Sequence, residues 1–332
     1  MIKFNFNIKP LVSKISELFP CGKNSKYKNE DIACRLINSA IENQSLEAMY
    51  KLKENLSADR MLSKLHDVSK DKIETLMKSF NAKLKLPKKV NLAIDFTDKL
   101  FYGGKNNFEI MGSKRGNYVK RYIEVSLTNP KYFISAYSVN QFNNFKVKLI
   151  SKIVDGFYDN YGSEVGLVLI DRGFYSKDVV NYFIENNLKF IMPAVKNNSI
   201  KKLIEQFLKG EIEDRIKYKF GDNYVNLLFL KIKNEVHVFM TNSKYSVLKT
   251  AILYRKRWQI ETNFREQNKF MFKTKTLDFS VRYFAFILSG LLLNLWQESR
   301  NGRIESYLFK KRLVKLIVED FSELVIFSRG IS

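Results

Sequence analysis

Apolar positions recur at helical spacing over residues 28–86. Ile32, Leu36, Ile37 and Ile41 share one face, and Met61, Leu62 and Leu65 share another farther on. Ser57, ahead of Ala58-Asp59-Arg60, reads as a helix N-cap with an acid in the first turn. At Pro87 the period changes. Val90 to Phe96 is β-branched and apolar and predicts a strand. Tyr118 to Leu127 alternates, with Ile123, Val125 and Leu127 on one face, and Phe133 to Val139 predicts a third strand. Phe145 to Asn160 returns to helical spacing through Val147, Ile150, Val154 and Phe157. Val165 to Ile170 is wholly apolar, as a buried parallel strand is. Ser176 caps a helix whose inner face is Val179, Val180, Phe183 and Ile184, and Phe190 to Ala194 is a further short strand.

The order βββαβαβ, a three-stranded meander followed by alternation, predicts an α/β mixed sheet flanked by helices, the order of the RNase H-like fold. Residues 199–247 interrupt it with a β-rich insertion, whose hairpin Tyr224 to Ile232 and Val236 to Thr241 turns near Lys233-Asn234-Glu235. A long helix pattern runs from Leu248 to about Phe272. A buried helix over 282–298 and a basic C-terminal helix near 305–320 follow. The expected division is 1–86 helical, 87–198 with 248–300 as the sheet domain, 199–247 as the insertion, and 301–332 as a basic helical end. Short helices carrying lysines suit a DNA-binding bundle of helix-turn-helix type. A helical lid packed on the next domain fits the same pattern.

Charge narrows the class. Lys+Arg is 57 and Asp+Glu is 34 in 332 residues, a formal charge of +23. Solubility needs far less, so a polyanion is the expected partner, with nucleic acid foremost. No basic amphipathic segment points to a membrane surface, and Met1 to Pro20 lacks the apolar block of a signal peptide. The apolar run Tyr283 to Trp296 is too short to span a bilayer. A soluble, cytoplasmic, nucleoid-associated protein is expected. Cys21 and Cys34 are too few for a disulfide scaffold or a four-cysteine zinc site. His66 and His237 lie far apart without ligand spacing. A metal held here would be held by carboxylates, which favours hard cations such as Mg²⁺.

Two carboxylates stand out. Asp95 sits inside an apolar strand, where an unpaired charge is expensive. Asp171 stands at the carboxyl end of VGLVLI, where open α/β sheets place their ligands. Singly, each has an ordinary explanation, a buried ion pair for Asp95 and a turn for Asp171. Together they favour a shared metal site. A third, Glu261, lies in YRKRWQIETNFREQNK. At about 100° per residue, Tyr254, Arg257, Glu261, Arg265 and Asn268 form one polar face. Ordinary i,i+4 pairing of Arg257 with Glu261 accounts for the charges on it but not for Tyr254.

These residues carry a resemblance. The sequence resembles the DDE transposases of bacterial and archaeal insertion sequences, of the class bearing a Tyr-Arg-Glu-Lys signature. Asp95 in AIDFTDKLFYG matches the first aspartate, Asp171 in LIDRGFYS the second, and Glu261 the glutamate. Tyr254, Arg257 and Glu261 reproduce the Tyr-x2-Arg-x3-Glu spacing, and Asn294-Leu295-Trp296 also fits. The likeness covers about residues 88–300. It departs at the lysine, since Asn268 occupies the expected position and Lys269 comes one step late, turned away on the helix. Either Arg265 substitutes for it or this copy is impaired.

The resemblance implies metal-dependent cleavage at element ends and strand transfer into target DNA. Asp95, Asp171 and Glu261 would hold two Mg²⁺ (or Mn²⁺) ions, about 3.5–4 Å apart, that clamp the attacking and leaving oxygens. No protein nucleophile is needed, in keeping with the lack of a Ser-His-Asp set. Tyr254, Arg257 and Arg265 are then DNA contacts, and Trp258 is placed either to stack on an unpaired base of a hairpin intermediate or to pack. The implied partners are terminal inverted repeats and target DNA, bound by a homodimer or higher oligomer. A transposase-derived DNA-binding protein without catalysis, and a general RNase H-like nuclease, are the alternatives.

Overall fold

The computed structural model describes residues 7–20, 27–51, 57–103, 107–112, 117–299 and 305–320. Cys21 and parts of the expected C-terminal region, 301–304 and 321–332, lie outside them. The chain forms two compact units, Met1–Leu84 with Tyr102–Lys105 and Asn263–Ser332, and Lys85–Phe101 with Asn106–Thr262.

The chain begins with helices α1 (Lys9–Ser16), α2 (Asn29–Glu42), α3 (Leu46–Lys51), α4 (Ala58–His66) and α5 (Lys70–Asn81). The Ser57 hydroxyl accepts the Arg60 N–H, and Ser69 does the same for Lys72, satisfying donors that a helix start leaves open. The strands β1 (Lys89–Leu100), β2 (Met111–Gly112), β3 (Tyr118–Leu127) and β4 (Phe133–Val139) follow. Then come α6 (Lys146–Asn160), β5 (Glu164–Ile170), α7 (Lys177–Glu185) and β6 (Phe190–Pro193). Ser176 caps α7 through the Val179 N–H. α8 (Asn198–Leu208) leads into β7 (Arg215–Phe220), β8 (Asn223–Ile232) and β9 (Glu235–Thr241). The chain continues with α9 (Val247–Arg255), α10 (Trp258–Asn268), α11 (Phe279–Ser299) and α12 (Ser306–Asp320).

In the sheet unit, nine strands form one mixed sheet in the order β2-β3-β1-β5-β6-β9-β8-β7, with β4 also on β3. β3 pairs antiparallel with β1 and β4, while β1, β5 and β6 run parallel. The run β4-β3-β1-β5-β6 is the RNase H-like arrangement. The segment read as an insertion differs from expectation in two respects. It opens with a helix, α8, and it contains a third strand, β7, whose alternating charged residues gave no apolar run. β9 hydrogen-bonds to β6, so these strands extend the central sheet. The hairpin turn uses Lys233 with φ 53°.

In the helical unit, α11 packs against α2, α4, α5 and α12. Leu288, Leu291 and Leu292 are fully buried. The helix is longer than its apolar run suggested and, by length and composition, long enough to cross a membrane, but most of it is buried inside this unit. Asn294 donates to the Asn81 side chain at 2.9 Å, so two buried amides satisfy one another. The stretch 263–299, expected with the sheet, thus shares a core with the N-terminal helices.

The continuous helix expected over 248–272 is interrupted. α9 ends at Arg255 and α10 begins at Trp258. Across the corner the bonds are i→i+3, with Arg257 N–H to the Tyr254 carbonyl at 2.8 Å and Ile260 N–H to the Arg257 carbonyl at 2.9 Å. No Gly or Pro marks the break.

Candidate active site

β1 and β5 are neighbours in register, with Ile94 beside Ile170. The next residues on the two strands are Asp95 and Asp171, which places both carboxylates at one rim of the sheet. Asp171 opens a short turn, Arg172–Phe174, and buried Phe174 stacks on Phe96 with centroids 4.6 Å apart. The stack fixes this turn against β1, adding to burial the roughly 1 kcal/mol typical of an aromatic pair.

Arg257, at the corner between α9 and α10, joins the remaining residues. Its Nη1 donates to Asp95 Oδ2 at 2.6 Å, its Nη2 to Glu261 Oε1 at 3.0 Å, and its Nε to the Tyr254 hydroxyl at 2.9 Å. Its side chain is 7% exposed, that of Asp95 17% and that of Glu261 52%. A guanidinium is a rigid fork, so three partners in different directions fix its position. The residue that reaches Asp95 is the one at which the helix breaks. A straight helix would carry Arg257 on its own face, whereas a buried charge without its partner costs several kcal/mol.

The electrostatics follow from this packing. Burial raises the Asp95 carboxyl to about 6; Arg257 opposes the shift, and Asp171 and Glu261 add to it. Burial works against the Arg257 charge, but Tyr254, Asp95, Asp171 and Glu261 outweigh it and hold the guanidinium above its ordinary value. Burial also pushes the Tyr254 phenol up, so it stays protonated.

Asp95, Tyr254, Arg257 and Glu261 are therefore brought together, with Asp171 beside Asp95. Among the described residues, no three His, Cys, Asp or Glu side chains are gathered closely enough to hold a metal by themselves. The guanidinium stands between Asp95 and Glu261 instead. The donor chemistry suits a hard divalent cation: the carboxylate of mostly buried Asp95 is repelled by those of Asp171 and half-exposed Glu261, which such an ion would relieve. Asp95 and Glu261 would serve such an ion while also accepting from Arg257.

Trp258 is 60% exposed and lines a cavity of about 560 Å³ with Arg172, Tyr254, Arg255, Leu248 and Ile252. Arg265 is exposed, one turn beyond Glu261 in α10. Lys269 lies past the helix end, where its ammonium bonds Glu266 at 2.8 Å. Sequence reasoning missed Glu124. It is fully buried, stands opposite Asp95 in the β1–β3 register, and accepts from the Ser126 hydroxyl at 2.9 Å. An acid among the alternating residues of β3 was the available signal, obscured because only the other face of that strand looked apolar.

Residues 87–295, more than half of the chain, match the family model described as a transposase DDE domain. The chain belongs to the transposase DDE-domain family. Divalent metal ions are the general cofactors of this family. No curated protein matches the sequence. Among solved structures, the fold is similar to that in the cryo-EM structure of a piggyBac transposase synaptic complex with hairpin DNA. The TM-score is 0.68 at 11% identity, covering 99% of this chain and 80% of the other. That likeness is one of fold and includes the central mixed sheet with its flanking helices.

Proposed function

We propose that this transposase cuts DNA strands at the ends of a prokaryotic insertion sequence and transfers them into target DNA, as a member of the Tyr-Arg-Glu-Lys class. The observation that carries the reading is the single guanidinium that ties Tyr254 and Glu261 of the signature to Asp95 of the sheet. Asp95, Asp171 and Glu261 would hold the divalent ions, taken as two Mg²⁺ or Mn²⁺. When bound, such ions supply Lewis-acid relief of phosphate charge and activation of water or a 3′-hydroxyl. The chain's residues do the rest. Tyr254, protonated because it is buried, donates to a phosphate oxygen. Arg257 uses three of its five N–H groups on its present partners and offers the others to the same phosphate. Arg172, Arg255 and exposed Trp258 form the approach, Trp258 taking an unpaired base. The helical unit supplies end recognition, and the protein acts as an oligomer on the nucleoid. The test is incubation with a duplex carrying the inverted repeats that flank the gene. We expect nicks at the repeat ends with Mg²⁺ and none with EDTA. Cutting at unrelated positions would identify a general nuclease.

A second reading, a DNA-binding protein that no longer cuts, is favoured by Asn268 at the signature lysine position. Variants separate the two. Arg265 extends from the same helix as Glu261 and can grip phosphate bidentately. Arg265→Ala is expected to lower cleavage by about 10- to 100-fold, the loss of a charged hydrogen bond or two. Lys269→Ala should change little, because Lys269 is engaged with Glu266. A large gain from Asn268→Lys, measured as initial nicking rate, would show that the site has decayed.

A further inference from the structure

At the carboxyl end of β4 the sheet unit exposes a cluster of aromatic side chains far larger than a soluble surface needs. Phe142 is 74% exposed, Phe145 58% and Phe108 49%. Phe108 and Phe142 touch, with centroids 5.5 Å apart. Lys148 lies over the Phe145 ring at 5.4 Å and Lys152 over the Tyr137 ring at 4.1 Å. Between them is a cavity of about 400 Å³ whose lining includes Phe142, Phe145, Lys148 and Lys152 and, among the described residues, no carboxylate.

The cluster is held firmly. The Asn140 side chain accepts the N–H groups of Phe142 and Asn143 at 3.0 and 2.9 Å, and Asn143 donates to the Ser138 carbonyl at 3.1 Å. Fully buried Lys120 binds the Glu109 carboxylate and, at 3.0 Å, the Val139 carbonyl, so one ammonium pins both loops that present Phe108 and Phe142. Exposed apolar rings kept rigid, rather than folded into the core, are pre-ordered for a ligand.

Its position indicates the ligand. β4 runs parallel to β1, and Val139 lies in register with Arg121 of β3 and so with Asp98 of β1, just beyond Asp95. The cluster therefore lies toward the same rim as Asp95 and Asp171, two strands over from Asp95. Asp95 itself is level with Ala136, so Val139 is offset by about 10 Å across the sheet and about as much again along it, a span of about four nucleotides at 3.4 Å each. A lining with two lysines and, among the described residues, no carboxylate suits a polyanion, and aromatic faces select bases that are free to stack. A duplex hides those faces.

Resting on the reading of this chain as a DNA-cutting enzyme, we propose that the corner formed by Phe108, Phe142, Phe145, Lys148 and Lys152 is a second DNA-binding subsite, which takes unpaired nucleotides. Bases stack on Phe142 and Phe145 while Lys148 and Lys152 neutralise the phosphates.

The test is fluorescence anisotropy of the full chain with a 12-nucleotide oligothymidine and with a 12-base-pair duplex, in metal-free buffer at fixed salt. Alanine replacement of a stacking aromatic costs about 5- to 150-fold per base. We expect Phe142→Ala and Phe145→Ala each to lose that much on oligothymidine and under twofold on the duplex. Phe142→Trp should bind as the parent does, and Lys148→Ala should flatten the salt dependence. Equal losses on both DNAs, or no loss on oligothymidine, overturn the proposal. So does polyglutamate binding with the same sensitivity to Phe142→Ala, which would mark an acidic protein partner. Because nothing is cut in this assay, its failure is separate from failure of the strand-cutting reading. Aromatic-dependent binding by a protein that never nicks repeat ends overturns only the latter.

Discussion

Asp95→Asn and Asp171→Asn are each expected to lower metal-dependent nicking by on the order of 10³-fold or more, about 4 kcal/mol of barrier. Asparagine keeps the shape of the side chain and removes the charge a divalent ion needs. The fold should survive. Asp95 is an uncomfortable ion, driven up to about 6 by burial and by its neighbours. Replacing a buried ionised group with a neutral one of the same size relieves that penalty even as it weakens the bond to Arg257. Glu261→Gln follows the same logic with less structural effect, since its side chain is half-exposed. Anisotropy with repeat-end DNA should show binding within a few-fold of the parent, because phosphate contacts come from basic residues. A variant that cuts within tenfold of the parent rate removes that residue from the catalytic set.

Arg257→Ala should be the most damaging substitution at the site for stability. It strands Asp95, 17% exposed and beside Asp171, without its cation. Removing one member of a buried pair costs about 3–5 kcal/mol; the bond to half-exposed Glu261 adds little after solvent screening. Arg257→Lys should recover only part, since an ammonium cannot reach Tyr254, Asp95 and Glu261 with one rigid fork. Urea unfolding measures this directly. Added Mg²⁺ should stabilise Arg257→Ala more than the parent, because the lost guanidinium no longer competes for the carboxylates. Unfolding of Arg257→Ala at the parent's midpoint would show that the bridge carries no stability.

Most of the sheet was legible because its strands are buried on both faces and announce themselves as apolar runs, as Val165 to Ile170 does. β7 was not, since Arg215, Lys217 and Lys219 alternate along an edge strand exposed to water. The candidate site was legible in membership more than in geometry. Spacing alone grouped Tyr254, Arg257 and Glu261, but it assumed an unbroken helix. Arg257, at the corner, bonds Asp95, 162 residues earlier in the chain, and no local pattern encodes a partner that distant. Trp258 was suited by sequence either to stack on an unpaired base or to pack, and it stands 60% exposed. Glu124 was hidden because it falls on the polar half of an alternating strand, which reads as a solvent face although both faces of β3 are buried.

The bond between Asn81 and Asn294, 213 residues apart, has a consequence for biosynthesis. α2, α4 and α5 leave the ribosome early, but α11, the apolar helix that packs on all three, follows about 200 residues later. At about 5–20 residues per second, they wait roughly 10–40 s for α11. During that time the core that buries Ile37, Leu65 and Ile73 in the finished protein is incomplete on the side that α11 covers. The newborn chain is therefore most exposed to aggregation and proteolysis over that interval. Expression at a lower temperature, or with a holdase chaperone in excess, should raise the soluble yield more than any change to the finished surface.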